Sequence, residues 1–191
     1  MKVNAHQGSV LYFRDDQLDS PKPHWHIVLN LKPLGDGGCH VAICTSHADR
    51  YRAIIAKAPY RADTVVFIPR SAYPEFSCET VVDCNKLQFI SDEKLKAASA
   101  NRRQTGLRQC QNFPPQYLKQ IIDGVLLSMT TDNAVRATIL DVSESDVPGE
   151  MFKRFGFKLK DYLPKMYAAE AAKNTIIPKD NPRIRIVVSP H

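Results

Sequence analysis

The chain has 191 residues, 43% of them hydrophobic and 24% charged, and carries a formal net charge of +6 with a pI of about 9.1. That length holds one ample core, or one domain of about 130 residues with an appendage, and the composition is that of a globular chain rather than a disordered one. No apolar run approaches the roughly 18 residues a bilayer span needs, and the start MKVNAHQGSV lacks a secretory apolar core, so the expected location is the cytoplasm with no membrane contact.

Gly8 to Phe13 (GSVLYF) reads as a first strand. The polar stretch DDQLDSPKP, 15–23, reads as a loop whose two prolines forbid helix. HWHIVLNL and CHVAICTS follow as two β-rich runs around the turn GDGG at 35–38, a hairpin signal. Strand alternation sets His24, His26, Val28 and Asn30 on one face, and Trp25, Ile27 and Leu29 on the other. HADRYRAIIAK, 47–57, predicts a short helix stopped before Pro59; DTVVFI, 63–68, and ETVVDCN, 79–85, predict two more strands. Ser91 is the expected N-cap of DEKLKAASA, with acids in the first turn where the helix dipole favours them. Pro114 and Pro115 open a further helix, PPQYLKQIIDGVLLSM, in which Leu118, Ile121, Ile122, Val125 and Leu126 recur at helical spacing. After Thr131 the pattern changes to an expected helix at 160–174, interrupted near Pro164, and a terminal strand at 183–188. The expected organisation is therefore a mainly β domain with helices over 1–131 and a C-terminal extension over 132–191.

The five cysteines are odd in number and sit in apolar or strand-like contexts, which fits free thiols better than a disulfide framework. His24 and His26 make a His-x-His pair, a first-row metal arrangement, with His40, Cys44 and His47 on the next segment. A closed site needs four converging ligands, however, and Asn30 and Leu31 stand where a glutamate ligand is wanted, so no metal and no cofactor are expected. Nothing matches a nucleophile elbow, a phosphate loop or a dinucleotide fingerprint. The basic balance suits a polyanion, because lysines and arginines gain affinity by displacing counterions from phosphates. RRQTGLR, 102–108, concentrates Arg102, Arg103 and Arg108 without an acid.

Taken in order, GSVLYF, a proline-containing loop, HWHIVLN, VAICTS and ETVVDCNKL resemble the MazF/PemK-type (Kid-like) ribonuclease toxins over roughly residues 8–129. The resemblance implies an SH3-like barrel, a homodimer, a cognate antitoxin or other protein partner, and metal-independent cleavage of single-stranded RNA. The family pairs an arginine at the start of the second strand with a threonine at the end of a later one. The threonine corresponds to Thr45, whereas His24 stands where the family has arginine.

That replacement changes the chemistry. A guanidinium holds a fixed positive charge, while an imidazole accepts and returns a proton near neutral pH. In RNA cleavage by the 2′-hydroxyl, one imidazole takes the hydroxyl proton, a second donor protects the leaving oxygen, and a cation or hydroxyl stabilises the phosphate. His24 and His26 are about 7 Å apart along a strand, the span of a phosphate. Thr45, Ser46 and Lys22 are the expected phosphate-oxygen partners, Trp25 the expected base-stacking group, and Arg102, Arg103 and Arg108 the expected backbone contacts. The alternative is a non-catalytic barrel that binds a protein or nucleic acid, favoured by the missing arginine and the long extension.

Overall fold

The computed structural model describes residues 3–16, 18, 20, 22–33 and 35–147; the expected C-terminal helix and terminal strand lie outside them. The described fold is α+β. Six strands, β1 (Val10–Phe13), β2 (His24–Val28), β3 (Gly38–Thr45), β4 (Val65–Ile68), β5 (Thr80–Ser91) and β6 (Arg108–Gln109), form one open antiparallel sheet in the order β4-β5-β3-β2-β1-β6. Five helices accompany it: α1 (Ala48–Lys57), α2 (Asp92–Ala100), α3 (Arg102–Thr105), α4 (Pro115–Leu127) and α5 (Asn133–Leu140).

Local chemistry closes each junction. Asn30 fastens the β2–β3 hairpin, donating to Asp36 Oδ2 (2.7 Å) and the Gly38 carbonyl (3.0 Å) while accepting from the His40 amide. Gly37 there adopts φ 73°, a left-handed conformation that glycine tolerates at least cost. The Ser91 hydroxyl accepts from the Lys94 amide and caps α2 as expected. Pro115 opens α4, where a missing N–H costs nothing.

Both faces of the sheet are buried. On one, Val10, Ile27, Leu29, Ala42 and Val82 pack with Phe113 and with Ile121 and Val125 of α4. On the other, Leu11, Phe13, Val28, Val41 and Ile90 pack with Leu95 and Ala98 of α2. A smaller cluster seats Ala48 and Tyr51 of α1 on Val65 and Val81. The alternation expected for 24–29 is realised, with Trp25 packed against the α4 face and Val28 in the α2 face.

Three features differ from the sequence reading. β5 runs on to Ser91 instead of stopping at Asn85, because a bulge interrupts its pairing with β3 without ending it. Between the pairs Ala42↔Leu87 and Cys44↔Val82, Ile43 alone stands opposite residues 83–86. This bulge carries its own polar support: Asp83 accepts from Arg61 (3.0 Å), and Asn85 donates to Thr64 and accepts from Ser128 after α4. The stretch 102–108, expected as a loop, contains α3 and the start of β6. Finally, α5 lies beyond the expected boundary at 131, yet Ile139 belongs to the same core as Ile27 and Ile121.

Gly124 sets how closely α4 approaches the bulge. A Cβ there would stand 2.8 Å from Cys84 Sγ and 3.3 Å from the Asp63 carbonyl. Gly124→Ala gains about 1 kcal/mol of helix propensity but forces a packed contact apart, at a cost of about 1–3 kcal/mol. Urea unfolding is expected to show net destabilisation by Gly124→Ala, partly relieved when Cys84→Ala is added; a stabilised single variant would refute this packing.

Candidate functional site

The β2–β3 ladder is paired from Val28↔Val41 to His26↔Ile43. Beyond that pair β2 continues to His24 and β3 to Thr45, so both reach the same end of the sheet. By alternation they lie on the same side of the sheet, where Thr45 pairs with Val81 of the α1 cluster. His24 is half-buried, and its Nε2 has no hydrogen-bond partner among the described residues. Thr45 is half-buried, Ser46 is exposed, and Thr45 Oγ1 accepts from the His47 amide at 3.4 Å. Lys22 is exposed two residues before His24.

His26 sits elsewhere in the chemistry. Its side chain is 0% exposed, stacked on Phe13 with ring centroids 4.5 Å apart, and its Nε2 lies 3.8 Å from Asp15 Oδ2. Burial pushes the imidazole down to about 4, against the pull of the Asp15 carboxylate. A fully enclosed ring cannot bracket a phosphate at the surface, so the expected pairing of His24 and His26 around one phosphate does not fit this geometry. His24 is half-buried as a residue but its Nε2 is itself buried, while His26 is enclosed entirely.

The surroundings of His26 contain charge. Asp15 is fully buried and receives Lys94 Nζ at 2.5 Å, and the same ammonium reaches Asp16 at 2.7 Å. Burial opposes the charge on Lys94, but the two carboxylates outweigh it and hold the lysine above its ordinary range. The loop leaving β1 is thereby tied to the first turn of α2.

The opposite face of the same corner is aromatic. Tyr12 and Trp25 are cross-strand partners with centroids 4.2 Å apart. Arg108, paired with Tyr12 across β1 and β6, lays its guanidinium over both rings, 4.5 Å from Tyr12 and 5.0 Å from Trp25. Two of the expected nucleic-acid contacts, Trp25 and Arg108, are thus in direct contact. The Arg14 amide donates to the Thr105 carbonyl, which brings α3 to the end of β1 where Phe13 faces His24. Arg102 and Arg103 are exposed there, although Arg102 Nε is used by the Leu107 carbonyl at 2.7 Å.

Tyr12, Asp15 and Lys94 were not foreseen. The alternation in GSVLYF puts Tyr12 opposite in direction to Leu11 and Phe13, but its partner depends on a register that a ten-residue connection hides. Among the described residues no group of three or more His, Cys, Asp or Glu side chains is arranged to hold a metal ion. The cysteines are free, with Cys39, Cys44 and Cys84 buried.

The buried imidazole has a measurable consequence. In the unfolded chain His26 takes a proton near its ordinary 6.5, while in the fold it resists one until about 4. Between those values the unfolded state binds more protons, so stability present above pH 6.5 is lost as pH falls, by roughly 3 kcal/mol for this residue. Chemical denaturation at pH 7.5 and 4.5 is expected to show a smaller acid loss for His26→Phe than for the unsubstituted chain; parallel losses would refute it.

No protein-family model matches the chain, and no curated protein matches it.

Proposed function

We propose that this protein is a metal-independent endoribonuclease of the MazF/PemK type acting on single-stranded RNA. The observation that carries the reading is the placement of His24 and Thr45 at the same end and on the same side of the sheet, with the His24 Nε2 buried and without a hydrogen-bond partner among the described residues. The strand arrangement supports an SH3-like barrel of that family: a meander through β1, β2, β3 and a long, bulged β5, with short β6 returning to the outer edge of β1. A homodimer and a protein antitoxin belong to the same proposal.

On this reading His24 takes the proton of the ribose 2′-hydroxyl as its oxygen attacks the adjacent phosphorus. Thr45, with Ser46, donates hydrogen bonds to the phosphate oxygens as negative charge gathers on them. The bond from phosphorus to the 5′-oxygen breaks, leaving a 2′,3′-cyclic phosphate and a 5′-hydroxyl that takes its proton from water or from protonated His24. No electrons leave the system and no oxidant or reductant is consumed. Lys22, Arg102 and Arg103 supply backbone attraction from the exposed rim.

The test is incubation of purified protein with single-stranded RNA in EDTA. Cleavage to cyclic-phosphate ends is expected, falling about a hundredfold or more in His24→Ala and by about a hundredfold in Thr45→Ala. Intact RNA, or unchanged rates in both variants, would refute the enzyme; salt-dependent binding without turnover would leave the barrel as a binding module.

A further inference from the structure

The phosphate chemistry proposed above uses only the α2 face of the β2 entrance. Its other face presents an aromatic surface that no catalytic step employs. Tyr12 and Trp25 pack on each other across β1 and β2, centroids 4.2 Å apart and planes tilted by 41°, both only half-buried, so that each leaves part of a ring exposed. Behind them Trp25 meets Phe76 at 6.0 Å, and Phe76 meets Tyr73 at 5.0 Å and Phe113 at 6.2 Å. Tyr73 is anchored by its hydroxyl, which donates to the Gln111 carbonyl at 2.7 Å. The inner edge of Trp25 is therefore fixed in packed rings, while Arg108 lies over its outer side.

Arg108 is held loosely for a group lying over two rings. Its side chain is 47% exposed, its ion pair to Glu75 is 3.7 Å long, and it projects from β6, a two-residue edge strand. The ring faces beneath it offer what a flat, polarisable group needs, and the guanidinium already occupies that position as a planar cation. A nucleobase has the same flat shape, and the strand that carries it is a polyanion suited to a basic rim. His24 and Trp25 are consecutive residues on opposite faces of β2.

We propose that Tyr12, Trp25 and Arg108 form a nucleobase-stacking subsite: one unpaired base of single-stranded RNA lies on the Tyr12–Trp25 surface and Arg108 closes over it as the second wall. The subsite rests on the ribonuclease reading for its ligand, with the phosphate next to the stacked base reaching the His24 side of the strand. Stacking makes it tolerant of base identity, because every base has a π-face.

Trp25 is the single tryptophan of the chain, so its fluorescence reports this surface alone. The unsubstituted full-length protein is titrated with a short single-stranded 2′-O-methyl oligoribonucleotide, which lacks the hydroxyl needed for cleavage, and with an abasic oligonucleotide of equal length and charge. The base-bearing strand is expected to quench Trp25 and to bind roughly 5- to 150-fold more tightly than the abasic one. Tyr12→Ala and Arg108→Ala are expected to erase most of that difference, whereas Trp25→Phe retains most of it. Equal affinity for the two strands, binding without a change in Trp25 fluorescence, or no binding of either strand would overturn the subsite. The comparison of strands needs no variant to fold, and it is read without catalysis. Stacking with no cleavage of RNA sinks the enzyme and spares the subsite, and cleavage with no stacking does the reverse.

Discussion

β2 is flanked by a strand on each side and covered on both faces, so each of its five side chains has only one acceptable destination. Consecutive side chains leave a strand in opposite directions, and a slip of one residue against β1 would exchange the two sets. Ile27 and Trp25 would then meet Lys94 and Asp15, while His24 and His26 would enter a face built of Phe76, Phe113 and Ile121. Four β1–β2 pairs, from Val10↔Ile27 to Phe13↔His24, and the Asn30 network at the hairpin hold the register against that exchange. The arrangement of the candidate site follows from it: an imidazole on one side of the sheet entrance and an indole on the other.

Irregular backbone lies on either side of this strand, in the loop leaving β1 and in β5 beyond β3, and the fold stabilises each irregularity with buried polar groups. The loop leaving β1 is fixed where Asp15 turns inward to His26 and Lys94. The bulge in β5 is fixed where Asp83 and Asn85 engage Arg61, Thr64 and Ser128. Desolvating an ion pair offsets much of its Coulombic gain, so neither network is a large source of net stability. Their contribution is location. Asp15 joins the end of β1, the middle of β2 and the first turn of α2 at one point, and no apolar side chain imposes a comparable geometry.

Much of this was legible in the sequence. Period-two alternation in HWHIV, the Ser91 cap and the proline-opened α4 are local signals, and each appears where those signals put it. The end of β5 was not legible, because KLQFIS after the bulge interleaves Lys86 and Gln88 with Leu87 and Phe89, and what keeps it in the sheet is pairing with β3, distant in sequence. RRQTGLR reads as solvated charge, yet Gly106 at φ 66° stops α3 and turns the chain back onto β1 as β6. For the candidate site, the residue types at 24, 25 and 45 were visible, and so were their faces. The burial that removes His26 from solvent was not, since it depends on Asp15 and Lys94 arriving from two other segments.

On the proposed reading, placing an imidazole where the toxin family has a guanidinium separates two tasks that one arginine combines. Proton transfer stays at His24, but fixed positive charge has to reach the phosphate from elsewhere. Two carboxylates lie close to this corner, and unit charges 4 Å apart still interact by about 4 kcal/mol near a protein surface. Left unpaired, Asp15 and Asp16 would repel an incoming phosphate. Lys94 spans both and offsets one of the two charges, which leaves Lys22, Arg102 and Arg103 to outweigh the other at the rim. Lys94, in the first turn of α2, therefore matters to the phosphate-facing surface: by offsetting one of the two charges at the acidic start of the loop, it lessens the field that a histidine-based phosphate site without the arginine has to overcome.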